Sequence, residues 1–288
     1  MKHAYLIMAH TDVPLLKVLL SMLDDERNDI YLHIDKKAQD IDPRVFSTSR
    51  AQLYIADKRL KVYWGHSSQV NLEMHLFRMA HKNGPYLYYH LLSGSDLPIK
   101  TQDYIHEFFA RHQGKEFVTL WAHSDAMARW RMERYHFFME WEKFPVRWLG
   151  IVLAKIRHLL TRMLGKRSLA INPKVGANWV SVTHEFLTYL LSKEKEVSRM
   201  CKYTHNADEV FLQTILWHSE FRERVFLPKD SERESKGCLR EVIWGNSSDS
   251  PKILDMSEAN RLLTSDNLFA RKFNSTVDKR IIQLIKER

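Results

Sequence analysis

Two adjacent carboxylates, Asp208 and Glu209, are the residues whose types and spacing best suit acid–base chemistry. They lie in the stretch 204–217, where apolar residues recur at helical spacing and Asn206 is a suitable N-cap, so we expect a helix to begin here. One acid in the first turn already complements the helix dipole and the unpaired amides. Capping does not explain the second carboxylate, and Glu209 is therefore a candidate general base.

Metal catalysis has weaker support in the sequence. The fifteen histidines include no His-Glu-X-X-His motif. Asp40 and Asp42 form an Asp-X-Asp motif, but they precede Pro43 in a polar stretch, where a turn is the favoured interpretation and a cation site the alternative. Cys201 and Cys238 lack the paired spacing of a zinc site or a disulfide framework. The sequence contains no Walker loop, dinucleotide fingerprint or Gly-X-Ser-X-Gly elbow, which argues against the kinases, dehydrogenases and hydrolases that depend on them.

The composition indicates a folded protein with an acidic partner. The 288 residues are 44% hydrophobic with nine glycines, so the chain can bury a large core. A formal net charge of +9 predicts association with nucleic acid, anionic lipid or a phosphorylated substrate. The two cysteines, an N-terminus without signal-peptide features and the lack of any run of about 18 apolar residues predict a cytoplasmic protein with no spanning helix.

Strands and helices alternate along the chain, which predicts an α/β fold with a mixed, mostly parallel central sheet flanked by helices in a single large domain. We expect strands at 4–9, 30–35, 60–64, 86–92, 116–120, 175–182 and 238–244, and helices at 13–23, 70–81, 104–109, 184–191, 206–217 and 278–286. Ligands of such sheets bind beyond the carboxyl ends of the parallel strands. Asp35 ends the second strand and Asp96 follows the fourth, so both are candidates for nucleotide binding. For Asp35, a solvated turn is the alternative.

Two further segments combine cations with aromatic or apolar residues. Residues 129–136 are dense in cations and aromatics and predict binding of sugars or phosphates, with a solvated helix face as the alternative. Segment 146–169 is amphipathic and basic, with no acidic residue. It predicts either attachment to an anionic membrane surface or a helix packed on the core with its cations outward.

The order of several motifs resembles the core-2/I-branching β-1,6-N-acetylglucosaminyltransferases, a family that includes peptide O-xylosyltransferases. The match follows almost the whole chain, and its most distinctive part is Ser-Gly-Ser-Asp-Leu-Pro-Ile-Lys-Thr at 93–101. The other matching motifs are Ile34-Asp35-Lys36, Gly176-Ala177-Asn178-Trp179, Asp208-Glu209-X-Phe211-X-Gln213-Thr214, Arg240 and Phe269-Ala270-Arg271-Lys272-Phe273. The resemblance implies a GT-A-like fold and an inverting transfer from a UDP-sugar, with no divalent metal and no cofactor besides this co-substrate.

The resemblance also implies roles for individual residues. Glu209 matches the catalytic base that deprotonates the acceptor hydroxyl, and Arg240 and Lys272 match the cations that neutralise the leaving diphosphate. Fixed cations can replace a metal ion at this point because negative charge develops on the leaving group. We expect the remaining donor contacts from Asp35, Ser95, Asp96 and His10, and acceptor contacts from Arg129, Trp130, Arg134 and Trp179.

The sequence therefore predicts one glycosyltransferase domain with three parts. We expect a nucleotide-sugar-binding half at 1–125, a basic insertion at 126–170 that faces the acceptor or a membrane, and a half at 171–288 with the base and the diphosphate-binding cations. Animal members of the family carry a membrane anchor, a stem and several disulfides, whereas this chain resembles the compact bacterial members.

For the activity, we expect transfer of N-acetylglucosamine to a bacterial surface glycan or a lipid-linked oligosaccharide. The alternative donors are UDP-xylose, UDP-galactose and UDP-glucuronate. We expect a cytoplasmic enzyme, either in solution or peripheral at the inner face of the plasma membrane. A basic nucleic-acid-binding protein is the alternative from another class. The cations are dispersed and form no recognisable nucleic-acid module, so we expect no nucleic-acid partner.

Overall fold

The first strand of the chain lies at the centre of the main sheet. The computed structural model describes residues 1–122, 124–139, 147–227, 237–245 and 250–288, apart from the side chains of 147–149. The strands in these ranges are β1 (His3–Ala9), β2 (Asn28–Ile34), β3 (Gln52–Ile55), β4 (Tyr88–Ser93), β5 (Leu97–Pro98), β6 (Ser181–Val182), β7 (Arg240–Val242) and β8 (Phe269–Arg271). The main sheet has the order β3-β2-β1-β4-β6, with β6 antiparallel to β4 and the other pairs parallel.

Helices cover both faces of this sheet. The helices in the described ranges are α1 (Val13–Met22), α2 (Ser68–Asn83), α3 (Gln102–Arg111), α4 (Asp125–Glu133), α5 (Arg147–Leu164), α6 (His184–Ser192), α7 (Glu194–Cys201), α8 (Phe211–Trp217), α9 (Ala259–Thr264) and α10 (Lys279–Lys286). Alternate residues of β1 enter two apolar cores, as the period of a strand requires. Tyr5 lies in the core that contains residues of α1, α3 and α10, and Leu6 lies in the core that contains residues of α2, α6 and α8. The predicted α/β class, a mostly parallel mixed sheet flanked by helices, is confirmed.

The register of the parallel strands aligns their carboxyl ends. Ala9 of β1 lies beside Ile34 of β2, and Met8 lies beside Ser93 of β4. Each of these strands is a nearly continuous buried run, because helices cover the sheet on both sides. The residues that follow the strands therefore emerge at one edge of the sheet, where ligands of such folds bind.

A smaller sheet brings the end of the chain to the same edge. Its strand order is β5-β8-β7, with β8 antiparallel to β5 and parallel to β7. Leu97 pairs with Ala270, so β8 lies beside the segment that follows β4. Asp12, in the turn after β1, accepts hydrogen bonds from Ser275 N at 2.7 Å and from Ser275 Oγ at 2.5 Å. These contacts position residues 269–275 next to the ends of β1 and β4.

The predicted strand at 60–64 is wrong. Leu60 N donates to His33 Nε2 at 2.8 Å and Val62 N donates to Asp35 Oδ2 at 3.3 Å, so side chains satisfy amides that a neighbouring strand would otherwise pair. The third parallel strand is instead β3. It lies at the sheet edge, and its exposed and half-buried residues give no continuous apolar run in the sequence.

Three other predicted strands are shorter than expected. Glu116 and Phe117 form isolated bridges with Val225 and Ser181 in place of the strand at 116–120. Segment 175–182 contributes only β6, and segment 238–244 only β7. The predicted helices at 13–23, 70–81, 104–109, 184–191 and 278–286 are confirmed as α1, α2, α3, α6 and α10.

The predicted basic amphipathic segment contains α5. Six of its apolar residues are exposed, namely Ile151, Val152, Ile156, Leu159, Met163 and Leu164. The interpretation in which the segment packs its apolar face on the core and turns only its cations outward is therefore wrong for this helix. Residues 140–146 of the predicted insertion lie outside the described ranges.

Candidate active site

Glu209 lies in a short 3-10 turn, Ala207–Glu209, directly before α8. Asn206 occupies the predicted N-cap position of this turn, in the left-handed conformation, but its side chain caps no amide. A loop contact fixes Asn206 instead, because its backbone N–H donates to Gly65 O at 2.8 Å. The two carboxylates are therefore held by a turn ahead of the helix.

Arg131 of α4 is the partner of Glu209. Its Nη1 donates to Glu209 Oε2 at 2.6 Å, and the two side chains are only 10% and 25% exposed. A charge-assisted bond of this length holds the carboxylate in one orientation. The sequence shows that the stretch around Arg131 is rich in cations but does not single out this residue, because only the packing of α4 against the turn distinguishes it from its neighbours.

Gly176 packs against the same turn. Its N–H donates to Glu209 O at 3.0 Å, and a Cβ at this position would lie 1.7 Å from Thr119 O. Gln213 Nε2 of α8 donates to Ala177 O at 2.7 Å. The Gly-Ala-Asn-Trp motif is thus attached to the turn and to α8 by a close backbone approach that requires glycine.

Asn178 and Trp179 connect the base to the end of β8. Asn178 Nδ2 donates to Asp208 Oδ2 at 3.4 Å, and the Arg271 guanidinium lies 4.1 Å from the centre of the Trp179 ring. Asn178 therefore contacts the turn that carries Glu209, and the next residue, Trp179, contacts the strand that precedes Lys272. Trp179, which we expected to contact the acceptor, lies at this junction.

Two buried acids lie behind Glu209. Gln69 Nε2 donates to Asp208 Oδ2 at 2.9 Å, and Glu73 lies one turn further along the same helix, α2. Burial, with a further contribution from Glu209, raises the pKa of Asp208 to about 7. Burial, with a contribution from Asp208, raises the pKa of Glu73 well above its ordinary value. Asp208 therefore has a structural environment different from that of the ion-paired, partly exposed Glu209.

Asp96 organises the turn after β4. It accepts hydrogen bonds from Ser93 N at 2.7 Å and from Ser93 Oγ at 2.9 Å, and Ser95 N donates to Ser93 Oγ at 3.2 Å. Arg271 Nε lies 3.5 Å from Asp96 Oδ1. Asp96 is almost completely buried, so it holds the Ser-Gly-Ser-Asp turn and Arg271 in place, whereas Ser95 is partly exposed.

His10, Asp35 and Lys272 are brought together at the ends of the strands. The pKa of His10 is lowered, first by burial; Asp35 opposes this shift and Lys272 adds to it, so both lie within electrostatic range. Asp35 is buried, accepts from Lys37 N at 2.7 Å and also receives the amide of Val62. The structure thus places three of the residues predicted to bind the UDP-sugar at one edge of the sheet.

Arg240, in contrast, lies in the core. It is 3% exposed, its Nη1 donates to Cys238 O at 2.5 Å, and its Nη2 donates to Val180 O at 3.2 Å. Its guanidinium also lies 4.3 Å from the centre of the Phe269 ring. The expectation that Arg240 itself contacts the diphosphate does not fit this position, because the side chain is buried and both of its Nη groups donate to protein oxygens. The motif match could not reveal this, since burial is not visible in a motif.

The predicted acceptor residues of α4 have different surroundings. Trp130 is exposed, and its ring centre lies 5.8 Å from that of His205 and 5.7 Å from the guanidinium carbon of Arg134. Arg129 instead donates to Asn172 Oδ1 at 2.9 Å and pairs with Glu133 at 3.5 Å. Trp130 and Arg134 therefore form one surface group beside the turn of the base, and Arg129 does not join it.

Asp42 serves a turn. It caps the 3-10 turn Pro43–Val45 by accepting from Arg44 N at 3.0 Å, as the favoured interpretation of this motif predicted. Within the residues that the structure describes, no three His, Cys, Asp or Glu side chains group so as to hold a metal ion.

These features define an α/β protein that collects polar side chains at the carboxyl edge of a parallel sheet, with an ion-paired carboxylate beside them. The model of the Core-2/I-Branching enzyme family matches residues 3–260, and the chain belongs to this family.

The chain is also similar to individual xylosyltransferases. Xylosyltransferase 2 of Homo sapiens is 21% identical over 301 residues, which cover 98% of this chain and 33% of the human protein. Xylosyltransferase 1 of Rattus norvegicus is 23% identical over 271 residues, which cover 88% of this chain and 31% of the rat protein. The chain thus spans about a third of the length of these curated relatives. Among solved structures, mouse xyloside xylosyltransferase 1 in its apo form aligns with 94% of this chain and 97% of its own chain, at 9% identity and a TM-score of 0.41.

Proposed function

We propose that this chain is an inverting glycosyltransferase that moves a sugar, N-acetylglucosamine as the first candidate, from a UDP-sugar to a hydroxyl group of a glycan. The observation that carries the proposal is the position of Glu209. Its carboxylate is held by Arg131, and its turn is linked through Asn178 and Trp179 to Arg271. The base and a cation are thus held at the two ends of one short segment, residues 178–179. This arrangement suits a displacement in which a hydroxyl group attacks the sugar and a diphosphate leaves.

In this reaction Glu209 accepts the proton of the acceptor hydroxyl while the hydroxyl oxygen bonds to the anomeric carbon of the donor. The bond between that carbon and the diphosphate oxygen breaks, and its electron pair leaves with UDP. Attack on the face opposite the leaving group inverts the anomeric configuration. General-base assistance of this kind contributes roughly 10²–10⁴-fold to the rate.

We assign the leaving diphosphate to Lys272 and Arg271. Lys272 lies within electrostatic range of His10 at the strand ends, and Arg271 lies between Asp96 and Trp179. Fixed cations aimed at a leaving group stabilise the charge that develops there, and we propose that they replace a divalent metal. Arg240, within electrostatic range of Asp96 and Arg271, supports this group from the core.

An activity panel of donors and acceptors, run with and without EDTA, tests the proposal. We expect transfer from UDP-N-acetylglucosamine that survives EDTA, gives the inverted anomer by NMR, and falls by roughly 10²–10⁴-fold in Glu209→Gln. Glu26→Gln is a matched control, because it makes the same change at an exposed position outside the site. Full activity of Glu209→Gln rejects the assigned base. Loss of activity in EDTA rejects the metal-free mechanism and makes Asp40 and Asp42 candidates again.

UDP-xylose is the second candidate donor. The curated relatives that match this chain at 21% and 23% identity are xylosyltransferases. Hydrolysis of each UDP-sugar without acceptor separates these two donors from UDP-galactose and UDP-glucuronate, because hydrolysis depends on the donor pocket and not on the acceptor.

We further propose that the acceptor is an intermediate of bacterial surface polysaccharide synthesis, either a free glycan or a lipid-linked oligosaccharide. The exposed group of Trp130 and Arg134 beside His205 supports a sugar-binding role, since aromatic faces and guanidinium groups stack on and hydrogen-bond sugars. Trp130→Ala should raise the KM for the acceptor and leave the KM for the donor unchanged. An unchanged KM for every active acceptor removes Trp130 from the site.

A further inference from the structure

Helix α5 presents an apolar stripe to solvent. Val152, Ile156, Leu159 and Met163 recur at spacings of four and three residues, so they lie on one face of the helix. All four are exposed, and Leu159 and Met163 reach 56% and 73% of full exposure. An exposed row of apolar side chains rimmed by polar ones marks an interaction site.

The other side of α5 attaches it to the body of the protein. Leu153 and Leu160 are partly buried, and Thr161 Oγ1 donates to Tyr135 O at 2.7 Å. Just beyond the helix, Arg167 N donates to Glu133 O at 2.7 Å. These contacts fix the rotation of the helix, so the apolar stripe faces outward as a consequence of the tertiary structure.

Cations lie next to the stripe. Lys155 and Arg162, seven residues apart, are exposed on the adjoining face of α5, and the range 147–169 contains no acidic residue. Apolar side chains bordered by basic ones match the boundary between the acyl chains and the headgroups of an anionic bilayer. A second copy of this chain fits less well, because its own basic stripe would bring like charges together across the interface.

We propose that α5 docks this protein on the surface of an anionic lipid bilayer. The stripe of Val152, Ile156, Leu159 and Met163 enters the acyl boundary, and Lys155 and Arg162 pair with lipid phosphates. The helix lies along the surface and does not cross it, since no helix in the described ranges is long and apolar enough to span a membrane. Tyr135, which binds α5, follows the helix that carries Arg131, so docking brings the base close to an acceptor held in the membrane.

Vesicle flotation of the full chain tests the docking. We expect recovery with vesicles that contain phosphatidylglycerol, little recovery with phosphatidylcholine alone, and release at high salt, which screens the attraction. The double variant Lys155→Glu and Arg162→Glu should lower partition by at least roughly 25-fold, and Leu159→Ser with Met163→Ser should also lower it. Lys279→Glu with Lys286→Glu is the matched control, because it makes the same charge change at exposed positions of α10 and should leave partition nearly unchanged.

Three results would overturn the docking. They are equal recovery with both kinds of vesicle, undiminished partition of the Lys155 and Arg162 double variant, and a dimer that becomes a monomer on replacing Leu159 and Met163. The last result would identify a second copy as the occupant of the stripe. Binding is measured without substrates, and donor hydrolysis by the same variants without vesicles reports the proposed reaction separately, so the failure of one proposal is distinguishable from the failure of the other.

Discussion

Arg131 and Glu209, which lie 78 positions apart in the chain, are joined by a hydrogen bond of 2.6 Å between Nη1 and Oε2. Arg131 O also accepts from His205 N at 3.3 Å, so α4 contacts the segment of the base through both its backbone and its side chain. The position of the base therefore depends on a helix from a different part of the chain. Substitution of Arg131 tests this dependence directly.

Replacement of Arg131 by Met should reduce kcat by roughly 10- to 100-fold, because the carboxylate of Glu209 loses the contact that orients it. Arg131→Lys keeps a cation with fewer donors and should recover part of the loss. Steady-state kinetics with the preferred donor, together with melting temperatures, measure both effects. Equal kcat values for the wild type and Arg131→Met would show that the pair has no role in positioning the base.

Lys272 and Arg240 should respond differently to substitution. Lys272→Met should lower kcat/KM by roughly 100-fold or more through lost stabilisation of the leaving group, with the melting temperature little changed. Arg240→Met should mainly destabilise the fold, because it removes the side-chain donor to the Cys238 carbonyl and one of the two donors to the Val180 carbonyl, and a buried carbonyl left unpaired costs about 1–3 kcal/mol. Kinetics and calorimetry on both variants separate the two roles. A stable but inactive Arg240→Met variant would assign the diphosphate to Arg240 after all.

Gly176→Ala should disrupt the turn of the base. The added Cβ would lie 1.7 Å from Thr119 O, which is a backbone atom and cannot move aside cheaply. We expect loss of activity with a lower melting temperature or insoluble protein. Gly150→Ala is the matched control, because a Cβ at Gly150 of α5 meets nothing within 4 Å and alanine is the better helix former. A Gly176→Ala variant as active and stable as the control contradicts the close backbone approach.

The contributions of Asp208 and Glu116 to stability should fall as the pH rises towards neutrality. The pKa of Asp208 is raised from 3.8 to about 7, first by burial and then by Glu209, and burial raises that of Glu116 to about 7 as well. A carboxyl group with a raised pKa keeps its proton in the folded state where the unfolded chain has lost it. Its contribution to stability is therefore fully present below the unfolded pKa and is lost as the pH rises through the folded pKa.

Between about pH 4 and pH 8, the melting temperature of Asp208→Asn should increase relative to that of the wild type as the pH rises, because the amide does not ionise and this loss of stability is removed. Asp42→Asn is the control, since Arg44 lowers the pKa of Asp42 and this group has no titration in that range. Thermal melts across the pH range measure both variants. A constant difference in melting temperature between Asp208→Asn and the wild type across this pH range would contradict the raised pKa of Asp208.

The sequence by itself determined the elements whose signals are local. The apolar runs of β1, β2 and β4 and the helical spacing of α1, α2 and α10 predict these elements, because such periods reflect burial on one or both faces. The edge strand β3 has no such run, and the amides near 60–64 bind side chains, so local patterns could not assign either segment. The order of the motifs also identified the family and selected Glu209 as the candidate base.

Tertiary structure alone decided which side chains meet. Arg131 was one of several cations in its stretch until the packing of α4 placed it 2.6 Å from Glu209. Arg240 matched a motif, yet the surrounding carbonyls hold it in the core. The sequence also left two orientations open for α5, and its contact with Tyr135 selects the one that exposes the apolar stripe. The physical reason is the same in each case: partners and burial depend on residues that are distant along the chain and become neighbours only when the elements pack.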